Sequence, residues 1–132
     1  MPTVTPKCCG SLTMDHGVLV LDRMGEQTEV PSNVFLIEAA ETMLVDTSFG
    51  DPALMAERHP GFECHRTPDQ TLTAVLDSEG YTPADVDSVV LSHLDWDHCY
   101  GLDRFDDDTT VYVSRRELAY AVAPHEIHAV RY

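Results

Sequence analysis

The sequence predicts an α/β (α+β) domain in which a mixed sheet carries helices on one face. Short runs of strand-forming residues alternate with capped helical segments, and such alternation packs helices onto a sheet. The 132 residues suffice for one domain with a real core and are too few for two, so residues 1–132 are read as a single domain. A hydrophobic content of 43% with 8% aromatics is that of an ordinary globular chain.

The elements follow in order. Around residues 11–22 the pattern alternates loosely and includes Val18-Leu19-Val20-Leu21, which predicts a strand before the turn at Gly25. Asn33-Val34-Phe35-Leu36-Ile37-Glu38 and Thr42-Met43-Leu44-Val45-Asp46 are two runs of β-formers, joined by a connection short enough for a hairpin. A short helix is predicted from Asp51 to Arg58, closed by His59-Pro60-Gly61. A second begins at Thr67, with Pro68 at the first helical position and Gln70 completing a capping box. Leu72, Val75 and Leu76 supply its apolar face, and Gly80 ends it. Thr82-Pro83-Ala84-Asp85 starts a further turn. Asp87-Ser88-Val89-Val90-Leu91-Ser92 reads as a strand buried on both faces. Thr110-Val111-Tyr112-Val113 is another strand. Ser114 and Glu117 form a second capping box, opening a helix that Pro124 stops.

Charge narrows the function classes. Against 23 acidic residues stand 8 basic ones, with Lys7 the only lysine, for a net charge of −15. Such a surface repels nucleic acid and anionic lipid, and neither is an expected partner. The acidity predicts either a protein adapted to high salt, whose fold loosens when screening is withdrawn, or simply the surroundings of a metal site. No apolar run approaches the roughly 20 residues of a membrane span, and residues 1–7 lack the apolar core of a signal peptide. The expected location is the cytoplasm. Cys8, Cys9, Cys64 and Cys99 match neither a CxxC zinc pattern nor a disulfide framework, so free thiols are expected.

One segment carries chemistry. In Ser92-His93-Leu94-Asp95-Trp96-Asp97-His98, four candidate ligands follow directly on the apolar strand. In extended chain, residues two apart point the same way, so His93, Asp95 and Asp97 share a face and the next turn can bring His98 round to it. Imidazole and carboxylate together suit zinc, and also manganese or iron. The competing reading is an acidic, solvated loop with two incidental histidines. Placement after a buried strand favours the metal, because neighbouring carboxylates repel unless a cation lies between them.

His93-x-Asp95-x-Asp97-His98 resembles the HxHxDH signature of the metallo-β-lactamase superfamily. The strands Phe35-Leu36-Ile37-Glu38 and Leu44-Val45-Asp46-Thr47 resemble the pair that precedes that signature. Gly10-Ser11-Leu12, the run from Pro31 to Glu38 and the run from Val111 to Leu118 look most like the N-acyl homoserine lactone lactonase branch. The resemblance implies the N-terminal half of an αββα sandwich. It implies that His93 and Asp95 bind a first zinc ion, and that Asp97 and His98 bind a second, with manganese or iron as alternatives. Asp97 is also implied as the catalytic group beside a bridging water, which loses its proton to become hydroxide near neutral pH. That hydroxide would attack a lactone or ester carbonyl of a small-molecule substrate, with a thioester, phosphodiester or sulfate ester as alternatives. Asp46 is implied to orient a ligand histidine through a hydrogen bond; the other reading of Asp46 is a strand-terminal Asx-turn.

Three departures accompany the resemblance. Asp95 stands where the family has histidine, which adds negative charge at the first metal and favours harder ions. Cys99-Tyr100-Gly101 replaces the usual run of small residues. The family's remaining ligands belong to a second half-domain that would follow residue 132, so the chain is expected to be a truncated or shortened form. His125 and His128 come too early to substitute, and His16, His59 and His65 read as surface or turn residues. Half a sandwich would leave an apolar sheet face open, which a second copy of the chain could cover. A domain that binds metal weakly or not at all, without enzymatic activity, is the reading from a different class.

Overall fold

Alternate burial sets the frame. The computed structural model describes residues 1–132. Along β1 (Thr3–Asp15) and β2 (Gln27–Glu38), which pair antiparallel, Leu12, Met14, Ser32, Val34 and Leu36 are buried while their neighbours are not. β3 (Thr42–Val45) returns against β2, and β4 (Phe62–His65) lies on the other side of β1. β5 (Ser88–Leu91) and β6 (Thr110–Val113) add in parallel beyond β3, giving the order β4-β1-β2-β3-β5-β6. The sheet is mixed, as predicted.

The helices α1 (Pro52–Arg58), α2 (Leu72–Asp77), α3 (Trp96–Cys99) and α4 (Arg115–Val122) complete the order. Leu72, Val75 and Leu76 of α2 pack on Val34, Leu36, Leu44, Val89 and Leu91. Met55 of α1 and Trp96 of α3 pack on Leu12, Met14 and Phe49. The opposite side of the sheet has no such cover, and Val4, Phe35 and Tyr112 are exposed. No helix is long and apolar enough to cross a membrane.

Several elements differ from the sequence reading. Residues 18–21 are not a strand; the chain turns through His16–Val18 and Leu21–Arg23 with its apolar side chains in solvent. Asp15 causes this, because its carboxylate accepts from the amides of Gly17 (2.7 Å) and Gly25 (2.8 Å) and folds the segment back on itself. The strand lies earlier, over Thr3–Asp15, with its register shifting between Cys8 and Ser11. Gly10 sits at that shift with φ +116°, where a Cβ would run into the carbonyl of His65. The helix predicted from Thr67 is split. Its capping box closes a 3-10 turn over Pro68–Gln70, and then Thr71 caps α2 afresh by accepting from Ala74 N. The Ser114–Glu117 capping box does not form: Ser114 makes no side-chain cap, and Glu117 Oε1 instead accepts from Leu94 N at 3.0 Å. β4 is an additional edge strand whose Glu63 and His65 point to solvent. Val90 stays half-buried, so β5 is not enclosed on both faces.

All four cysteines are free thiols. Burial pushes Cys9 and Cys64 up to about 11, which keeps both protonated at neutral pH.

Candidate metal centre

Parallel β3 and β5 end side by side, and the loops that leave them are sewn together. Asp46 N donates to Val90 O (2.9 Å), Thr47 N to His98 O (2.7 Å) and Tyr100 N to Ser48 O (3.2 Å). The close approach needs Gly101, where a Cβ would collide with the carbonyl of Thr47. It also holds Asp46 and Ser48 in left-handed backbone, at φ 61° and 65°. Such strain persists only where the surroundings over-determine it. Arg66 does so from below, donating to Ser48 Oγ (2.9 Å), Phe49 O (2.8 Å), Gly50 O (3.2 Å) and Cys9 O (2.8 Å), with its guanidinium 4.0 Å over the Phe49 ring.

Asp46 is therefore a buried carboxylate in a fixed place. It accepts from Ser92 N (2.8 Å), Ser92 Oγ (2.7 Å) and His98 Nδ1 (2.9 Å). Burial works to raise its pKa, but the hydrogen bonds from His98 and Ser92 prevail and hold it below the usual carboxylate range. Burial likewise works to lower His98, and the Asp46 hydrogen bond with the charges of Asp97, Asp46 and Asp95 raises it above an ordinary imidazole. Asp97 goes the other way from Asp46, because burial pushes it up more than His98 pulls it down.

The same network sets the ring nitrogens. The Ser92 hydroxyl gives its single proton to Asp46, so the 2.8 Å contact between Ser92 Oγ and His93 Nδ1 requires Nδ1 of His93 to donate. In its neutral form His98 likewise donates from Nδ1, to Asp46. Both Nε2 atoms then carry lone pairs. His93 Nε2 lies 3.7 Å from Asp95 Oδ2, and His98 Nε2 lies 3.5 Å from Asp97 Oδ2. The two rings face each other with centroids 4.0 Å apart.

The structure thus brings His93, Asp95, Asp97 and His98 together, with Asp46 behind His98. Two donors on one tetrahedral zinc stand about 3.4 Å apart, given bonds of about 2.0–2.1 Å, so each pair has nearly the span an ion needs. Nitrogen and carboxylate oxygen are the right donor types for a divalent ion. In this respect the residues fit a divalent ion. The donors are arranged as two pairs, and no three His, Cys, Asp or Glu side chains converge on one point. Completing either position needs donors beyond these pairs.

His125 and His128 are engaged elsewhere: His128 Nδ1 meets the Tyr120 hydroxyl at 2.7 Å, and His125 Nδ1 accepts from Ile127 N at 3.4 Å. His59 stacks on Trp96 at 4.2 Å, and His65 Nε2 meets Thr13 Oγ1. Ser92, Arg66 and Arg131 build or border the site without having been singled out in the sequence, and Glu117, read there as a capping-box partner, holds the motif loop instead. Arg131 stands out, because its guanidinium holds Asp95 Oδ2 through Nε (2.9 Å) and Nη2 (2.7 Å). A serine preceding the first motif histidine was visible as a residue that can bond both ways; nothing in the sequence linked Arg66 or Arg131 to a site tens of residues away.

The sequence pattern described as the metallo-beta-lactamase superfamily matches residues 27–131. No curated protein matches the chain in sequence. Among solved structures, a point mutant of B. thuringiensis AiiA with N-decanoyl-L-homoserine bound at its active site superposes with a TM-score of 0.80 at 24% identity, over 93% of this chain and 52% of that one. A probable metal-dependent hydrolase from Staphylococcus aureus gives 0.74 at 20% identity, over 94% and 50%. AidC, a dizinc quorum-quenching lactonase in complex with a product, N-hexanoyl-L-homoserine, gives 0.65 at 16% identity, over 94% and 45%. The chain spans about half the length of these structures, and at these identities the likeness is one of fold.

Proposed function

The chain belongs to the metallo-β-lactamase superfamily, and from that membership we propose that His93, Asp95, Asp97 and His98 are metal ligands of a hydrolase that opens a lactone or related ester. The observation that carries this reading is the hydrogen-bond chain from Asp46 through Ser92 to His93 and directly to His98. It turns both Nε2 lone pairs toward neighbouring carboxylates. A solvated acidic loop has no need of a strained, buried aspartate to fix the tautomers of two histidines.

In this reading His93 with Asp95, and Asp97 with His98, each hold one ion, zinc by donor type and manganese or iron as alternatives. A divalent ion bound there lowers the pKa of water and polarises a substrate carbonyl. The chain's own residues do the rest. Asp46 accepts from His98 Nδ1 and so holds the neutral imidazole in its Nδ1–H form, which leaves the lone pair on Nε2 once His98 has lost its second proton. Ser92 does the same for His93. Asp97, beside His98 and facing the proposed ion position, is the carboxylate proposed to take a proton and return it during ester opening. Structures of this fold solved with N-acyl homoserines bound support a lactone as the first substrate to try. A second copy of the chain is the proposed cover for the open face bearing Val4, Phe35 and Tyr112.

The test is metal content by elemental analysis, followed by hydrolysis of an N-acyl homoserine lactone, a thioester and a bis-phosphodiester. Stoichiometric metal that His93→Ala/His98→Ala loses, with lactone turnover, is the expected result. Preference for the thioester or phosphodiester would replace the substrate and keep the site. Absence of bound metal would remove the proposal.

A further inference from the structure

Asp95 is already held by a cation. Arg131 places Nε and Nη2 on the same carboxylate oxygen, Oδ2, at 2.9 and 2.7 Å. That oxygen is also the one 3.7 Å from His93 Nε2, so it is the atom a metal ion between His93 and Asp95 would have to take. Its two lone pairs are engaged by the two N–H groups. The other oxygen, Oδ1, is buried and presents nothing to an ion approaching from solvent.

Arg131 does not reach the site by a loose tail. The Glu126–Arg131 turn is tied to α4 through the Tyr120 hydroxyl and His128 Nδ1 (2.7 Å). Tyr132 donates to Glu117 Oε1 (3.3 Å), the oxygen that also accepts from Leu94 N within the motif loop. One element thus fixes the loop and delivers the guanidinium to it. The Asp97–His98 pair has no such guest; only Asp46 stands behind it, and it steers His98 toward binding.

We propose that Arg131 is an internal cation that competes with a divalent metal ion for Asp95, so that the two halves of the centre load unequally. This rests on the metal-centre reading above. The Asp97–His98 half takes an ion first. The His93–Asp95 half takes one only when Arg131 leaves Oδ2, because a guanidinium and a divalent ion on one oxygen repel each other and share too few lone pairs. Arg131 can leave: its side chain is 45% exposed, so water can receive it. Aspartate in place of the family's histidine is what makes the competition workable, since a carboxylate binds a guanidinium through a charge-assisted pair and an imidazole does not.

Titration of the metal-free chain with Zn2+ and with Mn2+ by calorimetry, with stoichiometry from elemental analysis, tests this without any turnover assay. The wild type is expected to bind one ion measurably more tightly than a second. Arg131→Ala and Arg131→Gln should tighten the second by on the order of tenfold or more, leaving the first within about twofold. Unchanged or weaker second-ion binding in both variants would overturn the competition and make Arg131 a support that aims Asp95 at the metal. If neither wild type nor variants bind any ion, the metal-centre reading falls and this inference falls with it.

Discussion

Asp46 Oδ2 accepts from His98 Nδ1 at 2.9 Å, and this contact joins the end of β3 to the first turn after β5. The same carboxylate holds Ser92 by amide and hydroxyl, so three donors from the motif segment end on one buried side chain. Structure and chemistry meet in it: the contacts that close the loops also decide which histidine nitrogen faces the ligand position.

Asp46→Asn should separate those two roles. Asparagine tolerates left-handed backbone as aspartate does, so the φ of 61° stays accessible. The amide cannot hold His98 in its Nδ1–H form as a carboxylate does. Metal affinity should fall by roughly 10- to 100-fold, in line with losses at residues that orient ligand histidines. Asp46→Ala leaves Ser92 N and its hydroxyl without their acceptor as well, and should cost about 3 kcal/mol of stability. Calorimetric metal titration beside urea unfolding checks both; equal affinity in Asp46→Asn and wild type would make Asp46 a loop anchor alone.

Much of this was legible in advance, for a physical reason. The motif spans six residues, His93 to His98, just beyond one strand end, so its grouping follows from local geometry. The strands that carry Val34, Leu36, Leu44, Val89 and Leu91 were found because runs of β-formers are local in sequence. The open face of β5 was not, since a continuous apolar run reads as buried on both sides. What escaped was long-range or conditional. Val18-Leu19-Val20-Leu21 has strand composition, and Asp15 overrides it by capping Gly17 and Gly25. Glu117 has capping-box spacing, but Leu94 N, 23 residues away in sequence, takes its carboxylate. Arg66 and Arg131 act across separations that no local pattern encodes.

The pH dependence of the metal-free fold follows from the same pair. His98 is raised when folded, so its stabilising charge is fully present below the unfolded value of about 6.5 and is lost as pH rises through the folded one. Asp46 is lowered when folded, so its contribution is present above the unfolded value of about 3.9 and is lost as pH falls through the folded one. Asp97 is raised, chiefly by burial, and therefore costs stability once pH passes its unfolded value. The Asp46–His98 pair therefore stabilises the fold in EDTA most between about pH 4 and 6.5 and less above it, with the Asp97 cost setting in from the acid end of that window. Metal affinity should climb over the range where stability falls, because an ion needs His98 Nε2 without its proton. Urea midpoints from pH 4 to 9 measure the first slope and titrations the second; parallel slopes would contradict the assigned tautomer.

Arg66 gives the last prediction, which concerns the floor beneath the centre. Its fork binds three carbonyls and one hydroxyl, those of Cys9, Phe49, Gly50 and Ser48, and so keeps the strained segment after β3 in place. Arg66→Met preserves the stem that covers Phe49 but leaves buried carbonyls unpaired, at a cost of roughly 3 kcal/mol. Arg66→Lys restores the charge as a single ammonium, which cannot span acceptors set out for a planar guanidinium, and should recover less than half of the loss. Urea unfolding of the three proteins distinguishes charge from geometry. Full recovery by lysine would mean that the Coulombic field of one cation holds residues 46–50, and the left-handed Ser48 would then need another cause.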